Sequence, residues 1–212
     1  MSHKFVPALR YSWLTRWYDI ILSVTFPEKK IKQGIINQLN IHGPARLLDF
    51  GVGTGTLSLM IKKQVPEAHI TGVDVDKRIL ALAQKKTQDL IKLQHYDGYL
   101  LPFDEKSFEI IVSSLVFHHI PTENKKTLLK ELWRVSTSNS SLHIADFGKP
   151  ANLYAKLAFS IFRRFDGEEN TRVNARGLLS KFISEAGFKN VQQTAYFNTA
   201  VGTVVLLKAT KT

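Results

Sequence analysis

The chain has 212 residues, enough for one well-buried domain and short for two. At 44% hydrophobic and 22% charged it has the composition of a soluble globular protein, and no run approaches the roughly 18 apolar residues of a membrane span. It contains no cysteine, which removes disulfides, thiolate metal sites and thiol nucleophiles together.

The net charge is +11. Such charge favours nucleic acid, an anionic membrane surface or an acidic substrate. The basic residues fall in scattered pairs, among them Lys62-Lys63, Lys85-Lys86 and Arg163-Arg164. No block of about five or six like charges appears, so solvated helix faces are read before a binding surface. No segment has the flanks of a secretory signal, and the cytoplasm is the expected location.

Residues 1–40 read as an N-terminal helical extension. Ala45 to Phe50 is then a buried strand, and Thr54 to Gln64 a helix with Leu57, Met60 and Ile61 on one face. His69 to Asp74 is a second strand, and Asp76 is placed to cap the helix that follows. Ile91 to His95 and Phe108 to Ser114 are the third and fourth strands. Thr122 to Val135 is a helix, and Ser141 to Asp146 a fifth strand. Alternation of this kind predicts a parallel sheet with helices on both faces.

The end breaks that rhythm. Asn174 to Ala186 reads as a helix stopped by Gly187. Phe188 to Phe197 and Val201 to Ala209 are strands joined by a short turn near Asn198, and so must be antiparallel. The expected fold is a Rossmann-like α/β domain: seven strands, mostly parallel, with one reversed near the C-terminal end. The division is a helical cap over 1–40, a core over 41–147 and a substrate-side region over 148–212.

The stretch "LLDFGVGTGTLSL", residues 47–59, carries Gly51, Gly53 and Gly55 at the first strand-helix turn. A phosphate-binding P-loop needs lysine and then serine or threonine after its last glycine, but Gly55 is followed by Thr56-Leu57. The dinucleotide fingerprint spaces its glycines G-x-G-x-x-G, whereas here they run G-x-G-x-G. Glycines at such a turn also serve tight packing alone.

Context adds to the loop. Asp74 ends the second strand, nineteen residues past Gly55, where a carboxylate can accept both hydroxyls of a ribose. Asp97 follows the third strand, where it can accept from an exocyclic amine. Gly51, Asp74, Asp97 and the stretch Ser113 to His119 all fall at the carboxyl ends of proposed strands. Open parallel sheets bind ligands along that edge.

Four blocks, "LLDFGVGTGTLSL", "ITGVDVDKRIL", "YDGYLLPFDEKSFEIIVSSLVFHHI" and "SLHIADF", span residues 47–147 in order. In this combination the chain resembles the class I S-adenosylmethionine-dependent methyltransferases. Within them it is most similar to the branch that holds the ubiquinone and menaquinone C-methyltransferases. The resemblance implies S-adenosylmethionine as cofactor. It implies that Gly51, Gly53 and Gly55 let backbone approach the methionine portion and that Asp49 orients its ammonium. It implies further that Asp74 holds the ribose, Val75 flanks the adenine, Asp97 takes the adenine amine with Gly98 nearby, and Ser113 lies close by. Glu109 stands where the family usually has aspartate.

A methyl acceptor that is a hydroxyl or an acidic carbon needs a base. His118 and His119, after the fourth strand, are the candidates, and their structural alternative is a pair that merely packs. Asp146 ends the fifth strand within reach of an acceptor, whereas His143 lies inside that strand and reads as structural. Tyr11, Trp17, Tyr18 and Phe147 are the candidate acceptor contacts.

Base-amine methylation commonly uses an Asn/Asp-Pro-Pro-aromatic motif, and the chain's seven prolines include no adjacent pair. The expected reaction is O- or C-methylation of a small apolar or aromatic molecule, with no metal. The alternatives are an RNA or protein methyltransferase of the same fold and a noncatalytic binder of the cofactor. The apolar face of "NLYAKLAFSIFRRF" reads as a helix packed on the sheet, as a lid, or as a peripheral membrane contact.

Overall fold

The computed structural model describes residues 26–41, 43–151, 173–174 and 176–212. The predicted contacts Tyr11, Trp17 and Tyr18 and the amphipathic segment over 153–162 lie outside the described residues.

The described chain runs α1 (Glu28–Gln38), β1 (Arg46–Phe50), α2 (Thr56–Gln64), β2 (His69–Asp74), α3 (Lys77–Thr87) and β3 (Lys92–His95). It continues through β4 (Phe108–Ser114), a 3-10 turn (Phe117–His119), α4 (Thr122–Val135), β5 (Ser136–Phe147), α5 (Leu179–Glu185), β6 (Lys189–Thr199) and β7 (Gly202–Thr210). The strands form one sheet in the order β3-β2-β1-β4-β5-β7-β6. β1 pairs in parallel with β2 and β4, and β4 with β5. β7 is antiparallel to both of its neighbours, so it is the single reversed strand, one place in from the edge.

Alternation along the strands feeds two cores. Leu48, Phe50, Ile111, Leu142 and Ile144 face α4 and α5, which contribute Leu128, Leu129, Leu132, Phe182 and Ile183. Leu47, Ile70, Val112, Ala145 and Phe147 face the other way, against Ile31, Ile35 and Ile36 of α1 and Leu57 and Ile61 of α2. β7 is buried along most of its length, as a strand covered on both faces must be, while the edge strand β6 exposes most of its side chains.

Two boundaries differ from expectation by more than two residues. β5 begins at Ser136, directly after α4, instead of at Ser141. Its polar first half carries no apolar signal, and a register shift on β4 between Phe108 and Ile110 lets Phe108 pair with Ser136. The helix expected from Asn174 begins only at Leu179, because a turn at Arg176–Gly177 intervenes and Asn174 is drawn inward to Asp146. Some basic pairs also gain a local explanation. Lys62-Lys63 and Lys85-Lys86 occupy the last turns of α2 and α3, where the helix dipole favours positive charge.

His143 sits inside the sheet, level with Val112 on β4 and Lys208 on β7. It is buried, and neither ring nitrogen has a hydrogen-bond partner among the described residues. Burial first, and then the charge of Lys208, push its pKa down to about 4. The unfolded chain therefore binds the proton more readily than the folded one between roughly pH 6.5 and 4, and folding loses stability as pH falls through that window. His143→Leu should remove this term. The stability of the variant relative to the native chain, from urea unfolding, should improve by about 2 kcal/mol between pH 7 and 5.

Candidate active site

The three loop glycines have separate physical roles. All have positive φ, between 53° and 76°. A Cβ on Gly51 would lie 2.3 Å from Val116 Cγ2, and one on Gly55 would lie 2.7 Å from Thr87 Cγ2. A Cβ on Gly53 would meet nothing within 4 Å. Gly51 and Gly55 therefore allow close packing, while Gly53 presents bare backbone to open space at the carboxyl edge.

The loop is fixed by the next strand. Gly51 and Val52 donate their N–H groups to Val73 O, each at 2.9 Å. Gly53 N donates to Asp74 Oδ2 at 3.0 Å, and Asp76 N donates to Asp74 Oδ1 at 3.0 Å. Each Asp74 oxygen retains accepting capacity. Asp76 caps α3 by accepting from Arg78 N and Ile79 N, which leaves Asp74 free of that task.

Asp49 lies beneath the loop. It is 1% exposed and accepts a 2.7 Å hydrogen bond from Ser58 Oγ. Burial raises its pKa to about 6 against the opposing effects of Ser58 and of the Lys32 charge. A buried carboxylate this reluctant to ionise suits a cationic partner.

After β3, Asp97 Oδ1 accepts from Tyr99 N at 2.9 Å and Leu100 N at 3.0 Å. Those N–H groups hold its carboxyl below the usual range. The side chain is exposed, so the carboxylate stays open to a further donor. Gly98 and Val75 approach each other, a Cβ on Gly98 falling 3.7 Å from Val75 Cγ1. Ser113, near the end of β4, is fully buried, and its hydroxyl has no partner among the described residues.

Asp146 organises the far end of the rim. It is fully buried and accepts from Val116 N, Phe117 N, Phe147 N, His118 Nδ1 and Asn174 Nδ2 at 2.7–3.0 Å. Burial pushes its pKa up, but His118, Lys125 and the Phe147 N–H outweigh it and hold the carboxyl low. His118 is buried, stacks on exposed His119 at 3.9 Å between ring centroids, and meets Phe147 edge-on at 4.9 Å. The structure thus gathers Asp49, Gly51, Gly53, Gly55, Asp74, Val75, Asp97, Gly98, Ser113, His118, His119, Asp146 and Phe147 along one edge of the sheet.

Similarity to known proteins points to one chemistry for this edge. A family model described as a methyltransferase domain matches residues 47–139. A demethylmenaquinone methyltransferase of Lactobacillus johnsonii is 30% identical over 183 residues, covering 76% of this chain and 74% of the relative. The chain belongs to the class I S-adenosylmethionine-dependent methyltransferases. It falls in their ubiquinone- and menaquinone-like branch. A Staphylococcus aureus demethylmenaquinone methyltransferase is 24% identical over 208 residues, or 86% of this chain and 85% of the relative. A solved S-adenosylmethionine-dependent methyltransferase of Aquifex aeolicus shares the fold at a TM-score of 0.66 and 16% identity, covering 92% of this chain and 98% of its own.

The residues at the rim of this methyltransferase fit its cofactor, S-adenosylmethionine. Open backbone at Gly53, an anionic floor at Asp49 and available acceptors on Asp74 and Asp97 match a zwitterionic, sulfonium-bearing nucleoside. Sequence reasoning missed Ser58, Lys32, Asn174 and Lys125. Ser58 carried a faint signal as a hydroxyl on the buried face of α2, and the others carried none. Asp74→Ala should weaken S-adenosylmethionine binding on the order of 100-fold, since two hydroxyl bonds to a charged acceptor are lost. Gly53→Val should abolish detectable binding while circular dichroism still reports a folded chain. Calorimetric titration checks both.

Proposed function

We propose that this methyltransferase transfers a methyl group to a carbon or oxygen of a small, apolar or aromatic ring compound bearing an ionisable hydroxyl. The observation that carries this reading is the histidine stack at the rim. His119 is exposed, and it rests on His118, which Asp146 anchors beside the Phe147 ring. Phe26 lies 6.4 Å from Phe147, ring to ring, and extends the apolar wall. The demethylmenaquinone methyltransferase relatives support a ring acceptor. One domain carries the reaction, with residues 1–40 and 148–212 shaping the acceptor side of the 41–147 core.

S-adenosylmethionine supplies an electrophilic methyl group when bound. Asp49, Gly53, Asp74 and Asp97 are the residues that would hold it along the rim, with Val75 and Gly98 on the adenine side and Ser113 nearby. Alignment of this kind accounts for about 7–11 kcal/mol of barrier in well-oriented systems. His119 takes the hydroxyl proton of the acceptor, which raises electron density on the oxygen and on the ring carbon beside it. His118 and Asp146 position His119; with five hydrogen bonds already made, Asp146 does not itself touch the acceptor.

Incubation with S-adenosylmethionine and a reduced naphthoquinone lacking its ring methyl should give the methylated ring, located by mass spectrometry. Transfer to RNA or protein with no ring product would overturn the reading. His119→Gln should lower kcat on the order of 100-fold or more, with cofactor affinity by calorimetric titration unchanged.

A further inference from the structure

We propose that Ser114 hydrogen-bonds the oxygen of the methyl acceptor and thereby directs the methyl group to the ring carbon beside it. The inference rests on the ring acceptor and the His119 base proposed above, and it adds the residue that selects carbon over oxygen.

From Ile110 to Val112 β4 is apolar, and it then ends in two serines that point to opposite faces of the sheet. Ser113 alternates with Ile111 and is fully buried toward α4 and α5. Ser114 follows Val112, on the face that also holds α1, α2, Ala145 and Phe147. As a residue it is half-buried, yet its hydroxyl is buried and has no hydrogen-bond partner among the described residues. Buried hydroxyls are paired as a rule, and one left over at a functional edge is placed for a ligand.

Strand order sets Ser114 between the two sides of the reaction. On β1, Asp49 is level with Val112, two residues before Ser114, at the cofactor end of the rim. On β5, Ala145 is level with Ser114, and Phe147 stands two residues further along the same face. Phe147 joins the aromatic wall through Phe26 and the base through His118. The backbone just beyond Ser114 is held in a conformation that bulky residues avoid. Leu115 has a φ of 61°, and its N–H donates to Ala145 O at 2.8 Å. Such outliers persist where their surroundings over-determine them, and they cluster at active sites. This one stops β4 at Ser114 and sends the chain into the 3-10 turn that carries His118 and His119.

The hydroxyl proton of the acceptor goes to His119, and its electron pair is shared between the oxygen and the adjacent ring carbon. Ser114 keeps its own proton and donates a hydrogen bond to that oxygen, where negative charge develops. The oxygen so held is the poorer nucleophile. The ring carbon therefore forms the new bond as the carbon–sulfur bond breaks with its electron pair to sulfur, and the proton on that carbon then leaves to water.

The test incubates S-adenosylmethionine with 1,4-dihydroxynaphthalene, kept reduced by dithionite, and separates ring-methylated from O-methylated product by chromatography against standards. The native chain should give the ring-methylated compound. Ser114→Ala removes one oxygen that has no partner to lose, so its thermal stability should be undiminished. It should lower kcat/KM on the order of 10-fold and raise the O-methylated share several-fold, with cofactor affinity by calorimetric titration unchanged. Ser114→Thr keeps a hydroxyl and should hold the native product ratio. An unchanged rate and product ratio in Ser114→Ala, or a product ratio in Ser114→Thr like that of Ser114→Ala, would overturn the assignment. So would a loss of cofactor affinity in Ser114→Ala, which would put the hydroxyl on the cofactor instead. A native chain that methylates neither position overturns the ring-acceptor reading itself, and this inference with it.

Discussion

Parallel pairing of β1 with both β2 and β4 is the constraint from which the site follows. Parallel neighbours cannot be joined by a tight turn, so each strand must hand its chain to a crossover that starts at the same edge. Residues that follow different strands in sequence, from Gly51 to Asp97 to His119, therefore arrive side by side. The strand order β3-β2-β1-β4-β5 also turns around at β1, so the loops after β1 and β4 run to opposite faces and leave a crevice between them. The fold makes this crevice before any side chain is chosen.

Two buried carboxylates at that crevice behave in opposite ways. Asp146 is saturated with donors and ionised, and it binds the turn after β4 to the end of β5 and to Asn174. Breaking so complete a set of bonds is costly, because the partners would be left buried and unmet. It serves as a fixed strut. Asp49 has one hydroxyl donor and a charge that burial disfavours. It is stabilised by whatever cation arrives. The same residue type is structural at one end of the rim and receptive at the other, and the number of donors around it decides which.

Much of this was legible in the residues themselves. The apolar runs of β1, β2 and β4 stood out because strands buried on both faces lack polar alternation. The capping geometry of Asp76 could be separated from Asp74 by position alone. The polar start of β5 and the turn ahead of α5 could not be read, since each depends on tertiary contacts, the bulge opposite Phe108 and the pull of Asp146 on Asn174. Lys32 was hidden for a related reason. On a helix that also carries the exposed Lys29 and Lys30, periodicity gives no sign of which lysine is buried.

The position of β7 between β5 and β6 has a consequence for synthesis. When β6 leaves the ribosome, the strand that must lie between it and the finished part of the sheet does not yet exist. The nascent domain then displays the open flank of β5, with Leu142 and Ile144 only partly covered, until Gly202–Thr210 slides into place. Closure is thus a late, non-local event, and unpaired strand edges of this kind are where growing chains associate wrongly. Exposed polar side chains on β6, Gln192 and Gln193 among them, keep the waiting strand soluble through that interval.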